Sequence, residues 1–339
     1  MHYLAHYAFF LAKTFTLALI ILSLVAAILA LFSKGKDSQG TSKLKIKKLN
    51  EIYNETQEAI QSEVLSKSML KDLKKSAKKR AKKEAKTEDQ KPRIFVINFE
   101  GDIKASAVSS LSELITAILL SAQPKDEVLL RLESAGGMVN AYGLAASQLQ
   151  RLKDAKIKLT VSIDKVAASG GYLMACVADQ ILAAPFAIIG SIGVIAQLPN
   201  FHRFLSKQSI DFEQITAGDY KRTLSLFGEN TEKGREKLQE EVNDTHELFK
   251  SYIQRYRPDM DLNKVATGEH WFATRAMDLG LIDHLKTSDD YLLAARDHAK
   301  LYELQYKTKQ PLAKRLGLAA DAVVAKIFQG RVNTGSDYL

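Results

Sequence analysis

The sequence predicts an α/β domain with largely parallel strands and right-handed crossovers. Three observations carry that prediction. A strand, a glycine-containing turn and a helix recur in consecutive units, the first strand reads as buried, and 46 % apolar composition over 339 residues allows a large core. The single Cys176 lies in the apolar run Leu173-Met174-Ala175-Cys176-Val177-Ala178. That excludes an internal disulfide, reads as a buried small side chain, and leaves the redox compartment open.

Along the chain, residues 15–32 form an apolar run of 18 interrupted only by Thr16 and Ser23. This length predicts a transmembrane helix, and it exceeds the apolar core of a cleaved signal peptide. Residues 34–93 then carry 18 Lys and Arg against 9 Asp and Glu, an excess equal to the formal +9 of the whole chain. The remainder is electrically neutral, so the charge describes a tether, not a nucleic-acid groove, and nucleic acid is not an expected partner. Anionic lipid is the more natural counter-surface beside an anchor. The lysines after the apolar run favour a cytoplasmic placement of that side. Within the tether, residues 52–73 have apolar positions at helical spacing and merge into a lysine-rich run, a partly helical linker closed by Pro92.

Residues 94–99 (Ile-Phe-Val-Ile-Asn-Phe) read as a buried strand ending at Glu100-Gly101-Asp102, followed by helical spacing over 109–120. The second unit pairs a strand over 128–132, running into Glu133-Ser134-Ala135-Gly136-Gly137, with a helix over 139–152 that packs its Leu and Ala face on the sheet. The third pairs 157–163 with a helix over 168–178. Shorter strand candidates are 179–183, 188–195 and 211–216, whose apolar and small residues suggest core. Residues 231–256 predict one long helix capped by Thr231 and ended before Pro258. Residues 268–283 predict a short helix and a last strand, and a helical tail is expected beyond about Leu301. The organisation is therefore an anchor at 1–33, a linker at 34–93, a folded domain at 94–300 and a tail at 301–339.

In this plan functional loops lie where strands end and helices begin. Three sites have that placement: Gly136-Gly137, Ser169-Gly170-Gly171-Tyr172, and Gly190-Ser191-Ile192-Gly193. Gly218-Asp219-Tyr220-Lys221 adds a lone basic side chain. A serine hydroxyl attacks only after a base takes its proton, and a lysine serves as that base once burial favours its neutral form. A plain helix cap at Ser169 and a surface lysine at 221 account for the same two motifs. Amides of Gly136 or Gly137, with that of Gly170, are candidates to meet the oxyanion of a tetrahedral intermediate. The seven histidines show no metal-ligand spacing, and neither a Gly-x-Ser-x-Gly elbow nor a phosphate loop is present. No cofactor or metal is expected. Asp102, Glu133 and Asp164 are strand-end acids without evidence enough for a third catalytic member.

At these residues the chain resembles the signal peptide peptidase A family of membrane-bound serine proteases (serine peptidase family S49), in its short SohB-like branch. The ordered set that carries the resemblance is Glu133-Ser134-Ala135-Gly136-Gly137, Ser169-Gly170-Gly171-Tyr172, Gly190-Ser191-Ile192-Gly193-Val194, Gly218-Asp219-Tyr220-Lys221, Ala276 and Gly280-Leu281-Ile282-Asp283. Glu133 and Ala135 depart from the usual Asp and Pro. The resemblance implies a ClpP/crotonase-like fold, Ser169 as nucleophile and Lys221 as general base. It also implies Ser191 hydrogen-bonded to the lysine and oxyanion amides from Gly136 and Gly170. It further implies a ring-shaped homo-oligomer whose subunits share active sites, and a bacterial inner-membrane protein with its catalytic domain on the periplasmic side, against the lysine bias. The expected activity is a membrane-bound serine endopeptidase cleaving signal-peptide remnants or unfolded membrane and envelope proteins, with peptide and lipid bilayer as partners. A catalytically silent membrane scaffold that binds peptides or partner proteins is the alternative, and acyl-CoA chemistry on a crotonase-like fold a distant third.

Overall fold

The computed structural model describes residues 13–17, 19, 43–84 and 91–307. The chain divides into two units, Met1–Leu44 with Tyr306–Leu339, and Lys45–Gln305. Residues 13–17 of the first are helical. The candidate site lies wholly in the second.

Strand β1 (Lys43–Lys48) leads into helices α1 (Leu49–Val64) and α2 (Lys67–Glu84). Two strand–helix units follow, β2 (Arg93–Gly101) with α3 (Val108–Leu119) and β3 (Glu127–Ser134) with α4 (Val139–Asp154). Next come β4 (Lys158–Ile163), β5 (Val166–Ala168), α5 (Gly170–Ala175), β6 (Gln180–Ala183) and β7 (Ile188–Gly190). Helices α6 (His202–Lys207), α7 (Glu232–Tyr256) and α8 (Leu262–Val265) precede β8 (His270–Phe272) and α9 (Ala273–Asp278). The last elements are β9 (His284–Leu285), α10 (Ser288–Ala295) and β10 (Lys300–Lys307).

The sheet runs β1-β10-β2-β3-β4-β6-β9, parallel from β10 to β9. Ile94, Phe95, Val96, Ile97 and Phe99 of β2 are all buried, so residues pointing to both faces are covered, as an unbroken apolar strand requires. Helix α3 buries Leu111, Ile115 and Ile118, and α4 buries Tyr142, Ala145, Ala146, Leu149 and Leu152. One feature of the register positions the site. Strand β4 pairs β3 only as far as Arg131 opposite Ser162, and the protruding end of β3 is taken by β5, with Ser134 opposite Ala167. Strand β5 then pairs β7 in parallel, and β7 pairs β8 antiparallel, giving a short second branch above the main sheet.

Several expectations need correction. Among the described residues no helix is long and apolar enough to cross a membrane. Of the apolar run at 15–32 only 15–17 and 19 are described, and the rest of the expected anchor lies outside the described residues. The described residues thus supply no span for the transmembrane helix, the lipid bilayer as partner or the single-pass inner-membrane location, and the membrane-derived signal-peptide substrates, expected from the anchor and the resemblance together, lose the anchor's support.

The stretch read as a linker contributes to the domain. Leu49 is buried against Ile94, Val96, Leu129, Leu292, Ala295, Ala299 and Leu301. Asn50 donates to the carbonyls of Arg296 and Ala299 and accepts from the Leu301 N–H. Where a helical tail was expected, β10 extends the sheet beside β2, with Tyr302 stacked on Phe95 at 6.2 Å. Residues 308–339 lie outside the described residues. The helix expected over 168–178 is confined to α5, and the strand expected over 188–195 to the three residues of β7. Residues 211–216 form no strand and are exposed: Phe212 only leans on Phe227, with ring centroids 5.8 Å apart, and Ile215 is 96 % exposed.

Candidate active site

Three parallel strands, β3, β5 and β7, end side by side, and within two residues of their ends stand Gly136, Ser169 and Ser191. The Ser169 N–H donates to Gly190 O at 2.8 Å, and the Ser191 N–H donates to Glu269 O at 2.6 Å. Both serines have left-handed backbones with φ of 51°. A non-glycine residue in a sparsely populated region costs on the order of 1–3 kcal/mol and persists only where its surroundings impose it. At Ser169, with ψ of −119°, the side chain makes no capping hydrogen bond to α5. Its Oγ has no hydrogen-bond partner among the described residues, which removes the plain helix-cap reading.

Gly136 sits against this turn with φ of 91°, and a Cβ there would stand 2.8 Å from each of Ala168 O, Gly170 N and Ser169 Cβ. Only a glycine permits that approach. The Gly136 N–H donates to Ser134 Oγ at 3.0 Å. The N–H groups of Gly137 and Gly170 have no partner among the described residues, and they belong to the two turns expected to hold an oxyanion.

From beneath, α5 is held by Tyr172, which is fully buried and donates to Leu281 O at 2.9 Å. Beside it Arg257 grips Asp283 with two hydrogen bonds of 3.0 and 2.9 Å, and Asp283 also accepts from the Ile181 N–H. Burial alone would raise the Asp283 carboxyl. The Arg257 pair and the Ile181 N–H outweigh it and hold the group below the usual carboxylate range. Burial pushes the Cys176 thiol up to about 12, so this lone cysteine is core and not a nucleophile.

Lys221 lies on the surface of the chain. Its N–H closes a turn onto Gly218 O, its side chain is exposed, and no hydrogen bond to Ser191 or Ser169 is made. It belongs to an arm, residues 206–222, that is exposed without a break and includes Ile210, Phe212 and Ile215. The three strand-end acids are engaged elsewhere. Asp102 accepts from Ser106, Glu133 pairs with Lys165, and Asp164 accepts from both the N–H and Oγ of Ser288. Among the described residues no group of His, Cys, Asp and Glu is placed to hold a metal ion.

Family models match nearly the whole chain: residues 2–149 match "Peptidase family S49 N-terminal" and residues 151–302 match "Peptidase family S49". The chain belongs to peptidase family S49. Among its S49 relatives, a "Probable protease SohB" of Buchnera aphidicola subsp. Acyrthosiphon pisum is 52 % identical over 315 residues, 93 % of each chain. A "Probable protease SohB" of Haemophilus influenzae is 46 % identical over 337 residues, 96 % of this chain and 95 % of that one. A solved membrane-bound stomatin-specific protease with a substrate peptide aligns over 67 % of this chain and 98 % of its own at 16 % identity, with a TM-score of 0.44 too slight to carry weight. As an S49 member the chain is a serine endopeptidase. The three turns singled out in the sequence meet at adjacent strand ends, whereas Tyr142, which stands among the Leu and Ala positions of α4, reads in the sequence as ordinary core.

Proposed function

We propose that this S49 endopeptidase cleaves peptide bonds in unfolded polypeptides with Ser169 as nucleophile and Lys221 as general base, the two supplied by neighbouring copies in a ring-shaped homo-oligomer. One observation carries the reading: Ser169 is held in a left-handed conformation with an unengaged Oγ, wedged between Gly136 and Gly170. Ser169 Oγ adds to the carbonyl carbon as its proton passes to Lys221 Nζ. Amides of Gly170 and of the Gly136–Gly137 turn receive the oxyanion. Collapse breaks the C–N bond, and the lysine returns the proton to the leaving amine. A water then gives its proton to Lys221 and hydrolyses the seryl ester. Ser191, one strand end away from Ser169, would orient the amine.

The exposed arm supports a shared site. A lysine amine accepts a proton only when neutral, a state that burial favours. Ile215 at 96 % exposure, with Ile210, Phe212 and Tyr220, gives the arm an apolar surface that a second copy would cover. The test uses purified oligomer and a denatured protein substrate. Wild type should cleave while S169A and K221A do not; equal cleavage by all three overturns the assignment. Rings mixed from S169A and K221A subunits should recover activity, and confirmed mixed rings that stay inactive would place both groups in one subunit.

A further inference from the structure

Beneath the two glycine turns lies a buried chain of hydrogen bonds to which the reaction steps give no role. The Gly136 N–H donates to Ser134 Oγ at 3.0 Å, the hydroxyls of Ser134 and Tyr142 lie 2.5 Å apart, and Tyr142 OH donates to Asp102 O at 2.8 Å. Counting protons sets the directions. Tyr142 has one hydroxyl proton and gives it to Asp102, so Ser134 donates to Tyr142 and offers its lone pairs to Gly136. Ser134 is 2 % exposed and Tyr142 not at all, so each link replaces a bond that water cannot supply.

Glycines clear the space around this pair. A Cβ at Gly101 would stand 2.4 Å from Tyr142 OH, one at Gly170 2.4 Å from Tyr142 Cγ, and one at Gly171 2.5 Å from Ser134 O. The phenol ring therefore lies directly against the residue after the nucleophile. Its hydroxyl, through Ser134, holds the opposite turn.

We infer that Ser134 and Tyr142 are positioning residues for the peptidase reaction, fixing the Gly136–Gly137 turn against Gly170 so that oxyanion donors from both turns keep a set spacing. The inference rests on the Ser169 reading. Donors act on a developing oxyanion only when already in place, and losing one costs about 10²–10³ in kcat. Loosening the relay leaves both donors present but less well held, and a tenfold to hundredfold loss is expected.

Tyr142→Phe keeps the ring against Gly170 and removes the relay hydroxyl, while Ser134→Ala removes the neighbouring link. Each is assayed as purified oligomer for kcat and KM, and for binding a peptide boronic acid and the same peptide ending in an unreactive carboxamide. The boronate forms a tetrahedral adduct on Ser169 and uses the oxyanion donors; the carboxamide does not. The expected result is kcat lowered roughly ten- to a hundredfold with KM within about twofold, boronate affinity falling in step and carboxamide affinity unchanged. If S134A does not fold, Y142F decides alone. A Y142F enzyme with kcat and boronate affinity within about twofold of wild type overturns the inference, as does an equal loss of both ligands, which would mark a general structural role. An S169A protein as active as wild type instead overturns the Ser169 reading itself. Active wild type, inactive S169A and unchanged Y142F overturn the relay alone.

Discussion

Replacing Gly136 by alanine should disable the site while leaving the fold standing. The added Cβ would lie 2.8 Å from Ala168 O, Gly170 N and Ser169 Cβ, whereas ordinary contact begins at 3.4 Å. The two turns must part by about 0.6 Å, the difference between those distances, and none of the three atoms is the end of a flexible side chain. Holding alanine at φ of 91° adds about 1–2 kcal/mol. A misplacement of about 1 Å at reacting groups costs about 10²-fold in rate. The smaller shift here predicts a kcat lowered roughly ten- to a hundredfold, with stability reduced by about 1–3 kcal/mol. Gly143, five residues into α4, is the internal control, since a Cβ there meets nothing within 4 Å. Gly143→Ala should raise stability by about 0.5–1 kcal/mol by removing glycine from a helix interior, with turnover unchanged. The assay is steady-state cleavage of a denatured protein substrate beside urea unfolding of the same preparations. A G136A enzyme whose kcat stays within about threefold of wild type would refute the geometric argument.

Three further outcomes are expected. Asn50→Ala removes three bonds to backbone groups of Arg296, Ala299 and Leu301. At about 1 kcal/mol each the loss should be about 3 kcal/mol, and a change below about 1 kcal/mol in urea unfolding would mean that α1 is not part of the domain. Ile215→Asp should leave the isolated chain folded, since the side chain is 96 % exposed, yet shift light-scattering mass to smaller species and lower activity with it; unchanged mass and activity would remove the arm from the subunit interface. Asp283→Asn should lower stability at neutral pH and flatten the acid limb of the stability curve. A carboxyl held below its unfolded value contributes stability above that value, near 3.9, and loses it as pH falls through the folded one. Parallel acid-unfolding curves for variant and wild type would contradict this.

The local chemistry was legible in the sequence because it depends on residue types at short spacing. Buried strands announce themselves as apolar runs, as at 94–97, and glycine turns lie at strand ends, as at Gly136 and Gly190. The cap at Thr231, whose Oγ1 accepts from the Gly234 N–H, is likewise a contact across three residues. Where those turns meet is another matter. Ser134 faces Ala167 because β3 outruns β4, and Ala168 faces Gly190 in the β5–β7 register, pairings between residues 33 and 22 positions apart that no local pattern encodes. Helix α1 reads as a linker because Asn50 finds its partners near residue 300, about 250 positions away, and Leu49 packs with residues from 94 to 301. The strand expected at 211–216 failed for the converse reason: apolar composition states that a segment needs cover, not which chain provides it. Thus the sequence alone determined the α/β alternation and the family. Tertiary structure decided that Ser169 would be strained and uncapped, that Tyr142 would stand beneath Gly170, and that Lys221 would be left on an exposed arm, because each of these depends on non-local packing that residue order does not spell out.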